Sequence, residues 1–367
     1  MKENSRLKNE LNNELWPESL SGLKSDEINS KIYKEFKVYF ENETNLKLTV
    51  NTGFLIYYYN AFCRDYKNSI FEAFLLTIIE IYRAAKHKNQ TECISFLQTH
   101  EPTISQAFRN TTAVVHTEQH KDIIRLNFYA KVCFRELGDF IEGSFKPFIK
   151  ELLGLHLLNK KTCPEVIEII SQISLGDAVA TLVKAYEDLS ILYKHALSGV
   201  TLNQWRNIAN HNSYLVNENA NKIICNYGSN DNKKSIALSR EDLCRTYLAI
   251  SKIQYLHQMA HAFFIADNIN VMSENRPEVD ISGDTAIMQT FESLASKGFK
   301  VFEYKKNESE YFLSVIDMES RGKEEIEQSL KEIVPIVFSL LRKLRLNVYN
   351  TENIPVFEIK NSHEHVD

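Results

Sequence analysis

The chain has 367 residues, 44% hydrophobic and 25% charged, with 11 glycines, 7 prolines and a formal net charge of −5. This length predicts two or three domains, and sparse glycine and proline favour long helices over a turn-rich β architecture. The acidic balance excludes a general nucleic-acid coat, which needs a basic face, while leaving room for a local RNA site. The cysteines at 63, 93, 133, 163, 225 and 244 have no paired metal spacing and fit reduced thiols. The start, Met-Lys-Glu-Asn-Ser-Arg, offers no signal-peptide hydrophobic region. The most apolar run, Phe71–Ile81, is interrupted by Glu72 and Glu80 and is too short for a bilayer. A cytoplasmic protein without membrane contact is the expectation.

In chain order, residues 1–30 are polar and Ile32 to Ala113 reads as mostly helical. Phe54 to Ala85 carries apolar residues at mixed three- and four-residue spacings, as in a buried helix or helix pair. Glu101-Pro102-Thr103 reads as a helix start. Lys121 to Leu158 is a further helical stretch, with Pro147 marking a new helix or a kink and Gly154 a candidate break. Pro164 opens a short helix. From Asp177 to Leu197 the apolar residues form one wide helical stripe, which Ser198-Gly199 ends.

The period then changes. A short helix over 201–211, with Thr201 or Asn203 to cap it, leads into short strands at Tyr214–Val216, Lys222–Tyr227 and Lys233–Leu238. Ser239 with Asp242 begins a long helix from Arg240 to Ala266. Asp267–Gly283 reads as a linker. Beyond it, a helix at Thr285–Lys297, a hairpin of Phe299–Tyr304 and Tyr311–Met318, a helix at Lys323–Leu344 kinked at Pro335, and strands at Val348–Tyr349 and Val356–Ile359 make a small α/β module.

The segment with most chemistry is Trp205-Arg206-Asn207-Ile-Ala-Asn210-His211-Asn212-Ser213-Tyr214. Arginine is a permanent cation whose planar fork fits phosphate oxygens. Histidine moves protons near neutral pH, and asparagine exchanges hydrogen bonds without changing charge. Five residues of helix set Arg206 and His211 about 140° apart, on adjoining flanks. Asn207 and His211, four apart, share a side, so Asn207 can orient the imidazole.

Arg206, Asn207 and His211, between one long helical stripe and another, resemble the HEPN superfamily, whose signature is an arginine followed after four to six residues by a histidine. The resemblance covers roughly residues 140–270. It implies a helical bundle for that stretch and nothing for the two ends; with the element pattern above, the expectation is a mainly α fold in three parts: a helical N-terminal region (1–138), a HEPN-like helical bundle with a small β excursion (139–272) and the small α/β module (278–367). The resemblance further implies a metal-independent endoribonuclease of a toxin or antiphage system, in which the ribose 2′-hydroxyl attacks the adjacent phosphorus and leaves a 2′,3′-cyclic phosphate. His211 would be the general acid or base, Arg206 the stabiliser of phosphorane charge, and Asn207 the holder of His211 or the phosphate. Trp205, Asn210, Asn212 and Tyr214 would contact substrate, the aromatic pair by stacking on a base, with packing in the core the open alternative for both rings. The family commonly builds one composite site from two copies, which implies a homodimer, and a protein inhibitor or sensor is a possible partner. No cofactor is implied. Members silenced by AMP transfer carry a tyrosine two residues after the histidine; here Ser213 stands there and Tyr214 one further on, which speaks against that regulation.

Rival signals are weaker. Arg109-Asn110 with His116 fits the loose spacing, but Thr111, Thr112, Val114 and Val115 are β-branched and make a poor motif helix. His257 and His261 lie one turn apart, yet Gln258 stands where a zinc protease needs glutamate, and a packed histidine pair is the plainer reading. Lys305-Lys306 and the Arg342-Lys343-Arg345 cluster read as solvated faces, and His363 and His365 as part of a polar tail. Glycine is too sparse for a phosphate-cradling loop, and there is no Gly-x-Ser-x-Gly. Two alternatives stay open beside the nuclease: a non-catalytic HEPN-type protein that dimerises or binds nucleotide or RNA, and a helical scaffold in which the motif is accidental.

Overall fold

The structure is a computed structural model that describes residues 23–114, 125–228, 232–273, 287, 290–291, 293–295, 297–306, 311–340, 344–350 and 354–360. It is mainly helical. Contacts group the chain into two compact units, 68–265 and a discontinuous unit that joins 1–67 to 266–367. The division at 138 and 278 drawn from the sequence follows changes of composition, whereas these units follow packing.

The discontinuous unit holds α1 (Ser25–Phe36), α2 (Glu43–Asn51) and α3 (Ile56–Ala61), which runs into a π turn at Phe62–Tyr66. Its sheet is β4 (Phe299–Lys306), β5 (Tyr311–Asp317), β6 (Leu344–Tyr349) and β7 (Pro355–Lys360), paired in that order. The outer pairs are antiparallel and β5–β6 is parallel, as the crossover through helix Lys323–Leu340 requires. A buried Asp317 accepts from the backbone N–H and guanidinium of Arg321, whose plane also lies over Phe299. Among the described residues, no helix is long and apolar enough to cross a membrane.

The continuous unit is a helical bundle. Its helices are α4 (Ile70–Lys88), α5 (Gln90–Val114), α6 (Leu126–Phe140), α7 (Lys146–Leu157), α8 (Cys163–Gln172), α9 (Leu175–Ala185), α10 (Leu189–Tyr193), α11 (Leu202–Asn210) and α12 (Arg240–Asp267), the last residues of which belong to the other unit. A π turn at Ile141–Phe145 joins α6 to α7, and Pro147 sits in the first turn of α7; the Gly143 carbonyl, which a proline at 147 cannot serve, accepts from the Asn110 carboxamide at 2.9 Å instead. Central α7 packs against α4, α5, α8 and α9. Strands β1 (Tyr214–Asn217), β2 (Lys222–Tyr227) and β3 (Lys234–Leu238) form an antiparallel sheet close to the expected spans. Ser239 and Asp242 cap α12 reciprocally, at 2.9 and 3.1 Å.

Three expectations are corrected. α5 runs unbroken through Pro102, so Glu101-Pro102-Thr103 is not a helix start. Phe96 and Leu97 before the proline and Ile104 and Ala107 after it are all fully buried, and that anchorage offsets the cost of about 3 kcal/mol of an interior proline. The stripe from Asp177 to Leu197 is not one helix but α9, α10 and a 3₁₀ turn at His195–Leu197, broken where Tyr186 leaves helical geometry. Leu182, Leu189, Leu192 and Leu197 are buried all the same, so the break leaves no trace in the hydrophobic pattern. Gly154 breaks nothing. It lies inside α7, where an added Cβ would stand 2.2 Å from Cζ of fully buried Phe96. Gly154→Ala should therefore destabilise the protein by about 1–3 kcal/mol through overpacking, read as a lower urea midpoint.

Two buried histidines from α12 complete the core. His257 Nε2 and the Tyr193 hydroxyl share a hydrogen bond of 2.9 Å with the rings stacked, and burial pushes His257 down to about 3. Because the unfolded chain protonates near pH 6.5 and the folded one does not, folding stability is lost as pH falls from about 6.5 towards about 3. His257→Gln should remove up to about 1.4 kcal/mol per pH unit from the slope of unfolding free energy in that window. An unchanged slope would show that another group controls acid lability.

Candidate functional site

Helix α11 begins at Thr201, whose hydroxyl makes no capping bond, and its termination fixes the motif. His211 is the C-cap residue and Asn212 takes a left-handed φ of 50°. Ser213 N–H donates to the Ile208 carbonyl at 3.0 Å and Asn212 N–H to that of Ala209 at 3.4 Å, the paired bonds of a Schellman end with asparagine in the place of glycine. The Ser213 carbonyl then accepts from Asn226 N–H at 2.7 Å, and Gln204 Oε1 accepts from Gly228 N–H at 3.2 Å, which tie the sheet to the helix. Glu218, in the β1–β2 turn, accepts from Asn127 N–H at the start of α6, where the helix dipole favours an anion.

The helix is set deep on one side. Trp205 is fully buried and donates its indole N–H to the Leu197 carbonyl at 3.0 Å. Of the two roles open to it, base stacking is therefore excluded and packing holds: the ring is a core anchor with no free face. Gly138 of α6 lets α11 approach closely, for a Cβ there would meet Asn210 Oδ1 at 2.2 Å and Ala209 Cβ at 3.4 Å. Asn210 is exposed and its carboxamide lies over that glycine. Tyr214 is half-buried, stacked on Phe134 with centroids 4.4 Å apart, and burial raises its hydroxyl above the usual value. One face of that ring is thus already taken.

The outer side of the helix carries the charge. Arg206 Nε donates to Glu142 Oε1, and Lys146 Nζ reaches Glu142 Oε2 at 2.8 Å. Their side chains are 33%, 29% and 29% exposed for Arg206, Glu142 and Lys146, so water still screens all three. Burial alone would raise the Glu142 carboxyl, but hydrogen bonds from Lys146 and Arg206 outweigh it and hold the group below its usual range. Arg206 Nη1 also donates to Asn207 Oδ1 at 3.1 Å. Asn207 thus turns its carboxamide oxygen to the guanidinium. Among the described residues no side-chain hydrogen bond joins Asn207 to His211, and only the backbone links them, His211 N–H to the Asn207 carbonyl at 3.0 Å. His211 and Asn212 are exposed.

Sequence reasoning found Arg206, Asn207 and His211 but missed Glu142 and Lys146, which come from the π turn and the first residue of α7. Their only signal is a Glu–Lys pair four apart, the commonest kind of helix-surface pair. His116 lies outside the described residues, as do His363 and His365, while Asn110 donates to the Gly143 carbonyl at 2.9 Å. His257 and His261 both serve the core. No protein-family model, curated protein or solved structure matches this chain.

Proposed function

We propose that the chain is an endoribonuclease of the HEPN type, cutting RNA by attack of a ribose 2′-hydroxyl on the adjacent phosphorus. The observation that carries this reading is one exposed helix end holding a half-open arginine and a solvent-facing histidine, Arg206 and His211. His211 takes the proton of the attacking 2′-hydroxyl. Arg206 stabilises the charge that gathers on the phosphorane oxygens, and Asn207 holds the guanidinium in place. The leaving 5′-oxygen takes its proton from a second acid, which the same residue of a second copy supplies in a two-fold composite site. Asn210 and Asn212 flank that site as polar contacts for the strand. A defence or toxin role follows from the family rather than from the geometry.

A second reading, a bundle that binds nucleotide or RNA without cutting, draws on Glu142, which already occupies the arginine. One experiment separates the two. Purified protein is incubated with single-stranded RNA, with and without EDTA, and the product ends are read by mass spectrometry. The nuclease reading expects 2′,3′-cyclic phosphate ends with and without chelator, and activity that falls on dilution below the dimer's dissociation constant. Ends bearing a 3′-hydroxyl, or activity abolished by EDTA, would sink it.

A further inference from the structure

We propose that Arg206 and Lys146 form a two-cation cradle for a phosphate of the RNA strand, and that Glu142 is its resident occupant, displaced when the strand binds. The identity of the ligand rests on the ribonuclease reading; the cradle itself rests on geometry. The two oxygens of one carboxylate are divided between two cations, Oε1 with Arg206 Nε and Oε2 with Lys146 Nζ at 2.8 Å. Two non-bridging oxygens of a phosphodiester ask for the same division, and an arginine fork beside a point-charge ammonium is a common way to meet it.

The turn that carries Glu142 is anchored, and all three side chains reach solvent. Glu142 lies in the π turn Ile141–Phe145, whose Gly143 carbonyl is held by the Asn110 carboxamide at 2.9 Å. Arg206 and Lys146 carry their charges on long side chains that are 33% and 29% exposed. The cations can therefore exchange the carboxylate for an incoming phosphate while the backbone stays still. The cluster of two cations and one anion has one net positive charge, which suits a phosphodiester carrying one negative charge. Glu142 thereby sets a threshold: an isolated anion must compete with an internal one, whereas a strand that makes other contacts displaces it.

The test is binding of a fluorescein-labelled 2′-O-methyl oligoribonucleotide, which lacks the attacking hydroxyl, followed by anisotropy at several salt concentrations. Glu142→Gln removes the competing charge and keeps the shape, and is expected to tighten binding several-fold. Lys146→Gln is expected to weaken binding, to cancel the gain of Glu142→Gln when the two are combined, and to lower the salt slope by about 0.7, the value of one phosphate contact on a single strand. If Glu142→Gln binds no better than wild type, or if Lys146→Gln leaves affinity and slope unchanged, the cradle is overturned. Should Glu142→Gln not fold, as judged by thermal unfolding, Lys146→Gln carries the decision alone. Cleavage of ordinary RNA is scored separately. Binding that responds as expected without cleavage overturns the nuclease reading and leaves the cradle standing; cleavage that needs Arg206 and His211 but ignores Glu142 and Lys146 does the reverse.

Discussion

Arg206→Ala and His211→Ala should each lower the rate of RNA cleavage by about 100- to 1,000-fold, with the fold intact. The size follows from the two roles. General acid–base catalysis contributes about 10²–10⁴-fold, and removal of one charge-stabilising donor costs about 10²–10³-fold. The two variants should differ in kind. In the proposed mechanism Arg206 touches the phosphate, so its loss should raise KM as well as lower kcat, and it also frees Glu142 and Asn207 from their partner. His211 makes no side-chain hydrogen bond or ion pair among the described residues, so its loss should fall on kcat alone. Arg206→Lys should recover little, because an ammonium cannot serve Glu142 and Asn207 as the fork does. Neither substitution should alter the unfolding midpoint much, since both side chains reach solvent. A His211→Ala protein that cleaves as fast as wild type would remove the imidazole from the mechanism.

What was legible in the sequence was the part carried by neighbours along the chain. The short helix over 201–211 and the three strands after it follow from a change of period and from asparagine- and glycine-rich turns, although Thr201 makes no capping bond with its side chain. The ion cluster was not legible, because Glu142 and Arg206 are 64 residues apart and meet only through packing of α11 on α6. Trp205 stayed open between two roles for a similar reason: an aromatic residue beside a motif has the same composition whether it faces a ligand or the core, and the bond from its indole to Leu197 decided for the core. The π turns were hidden too, since one extra residue in a helical turn changes register without changing composition.

The other large effect should come from the core of the same unit. Glu151, fully buried in α7, accepts at Oε1 from the Tyr82 hydroxyl at 2.5 Å and meets His261 Nδ1 at 2.8 Å, while its Oε2 is buried with no hydrogen-bond partner among the described residues. Burial would raise this carboxyl, but the charge and hydrogen bond of His261 hold it below its usual value. A carboxylate kept charged in a dry interior depends on the partner that hydrogen-bonds it. His261→Ala should therefore cost about 3–5 kcal/mol, the cost of leaving a buried charge unpaired. Glu151→Gln, which keeps both hydrogen bonds and removes the charge, should cost about 1–2 kcal/mol. Replacing both partners by leucine should cost less than the sum of the single losses, because no charge is then stranded. Because the folded carboxyl is depressed, the pair's contribution is complete above the unfolded pKa near 4.5 and fades as pH falls through the folded value. The penalty of His261→Ala should thus shrink on acidification, as protonation relieves the stranded carboxylate. Urea unfolding followed by tryptophan fluorescence reports on this unit through buried Trp205. A penalty near 1 kcal/mol at pH 7, unchanged at pH 4, would mean that the two residues are neutral partners in the fold and that the buried charge does not exist.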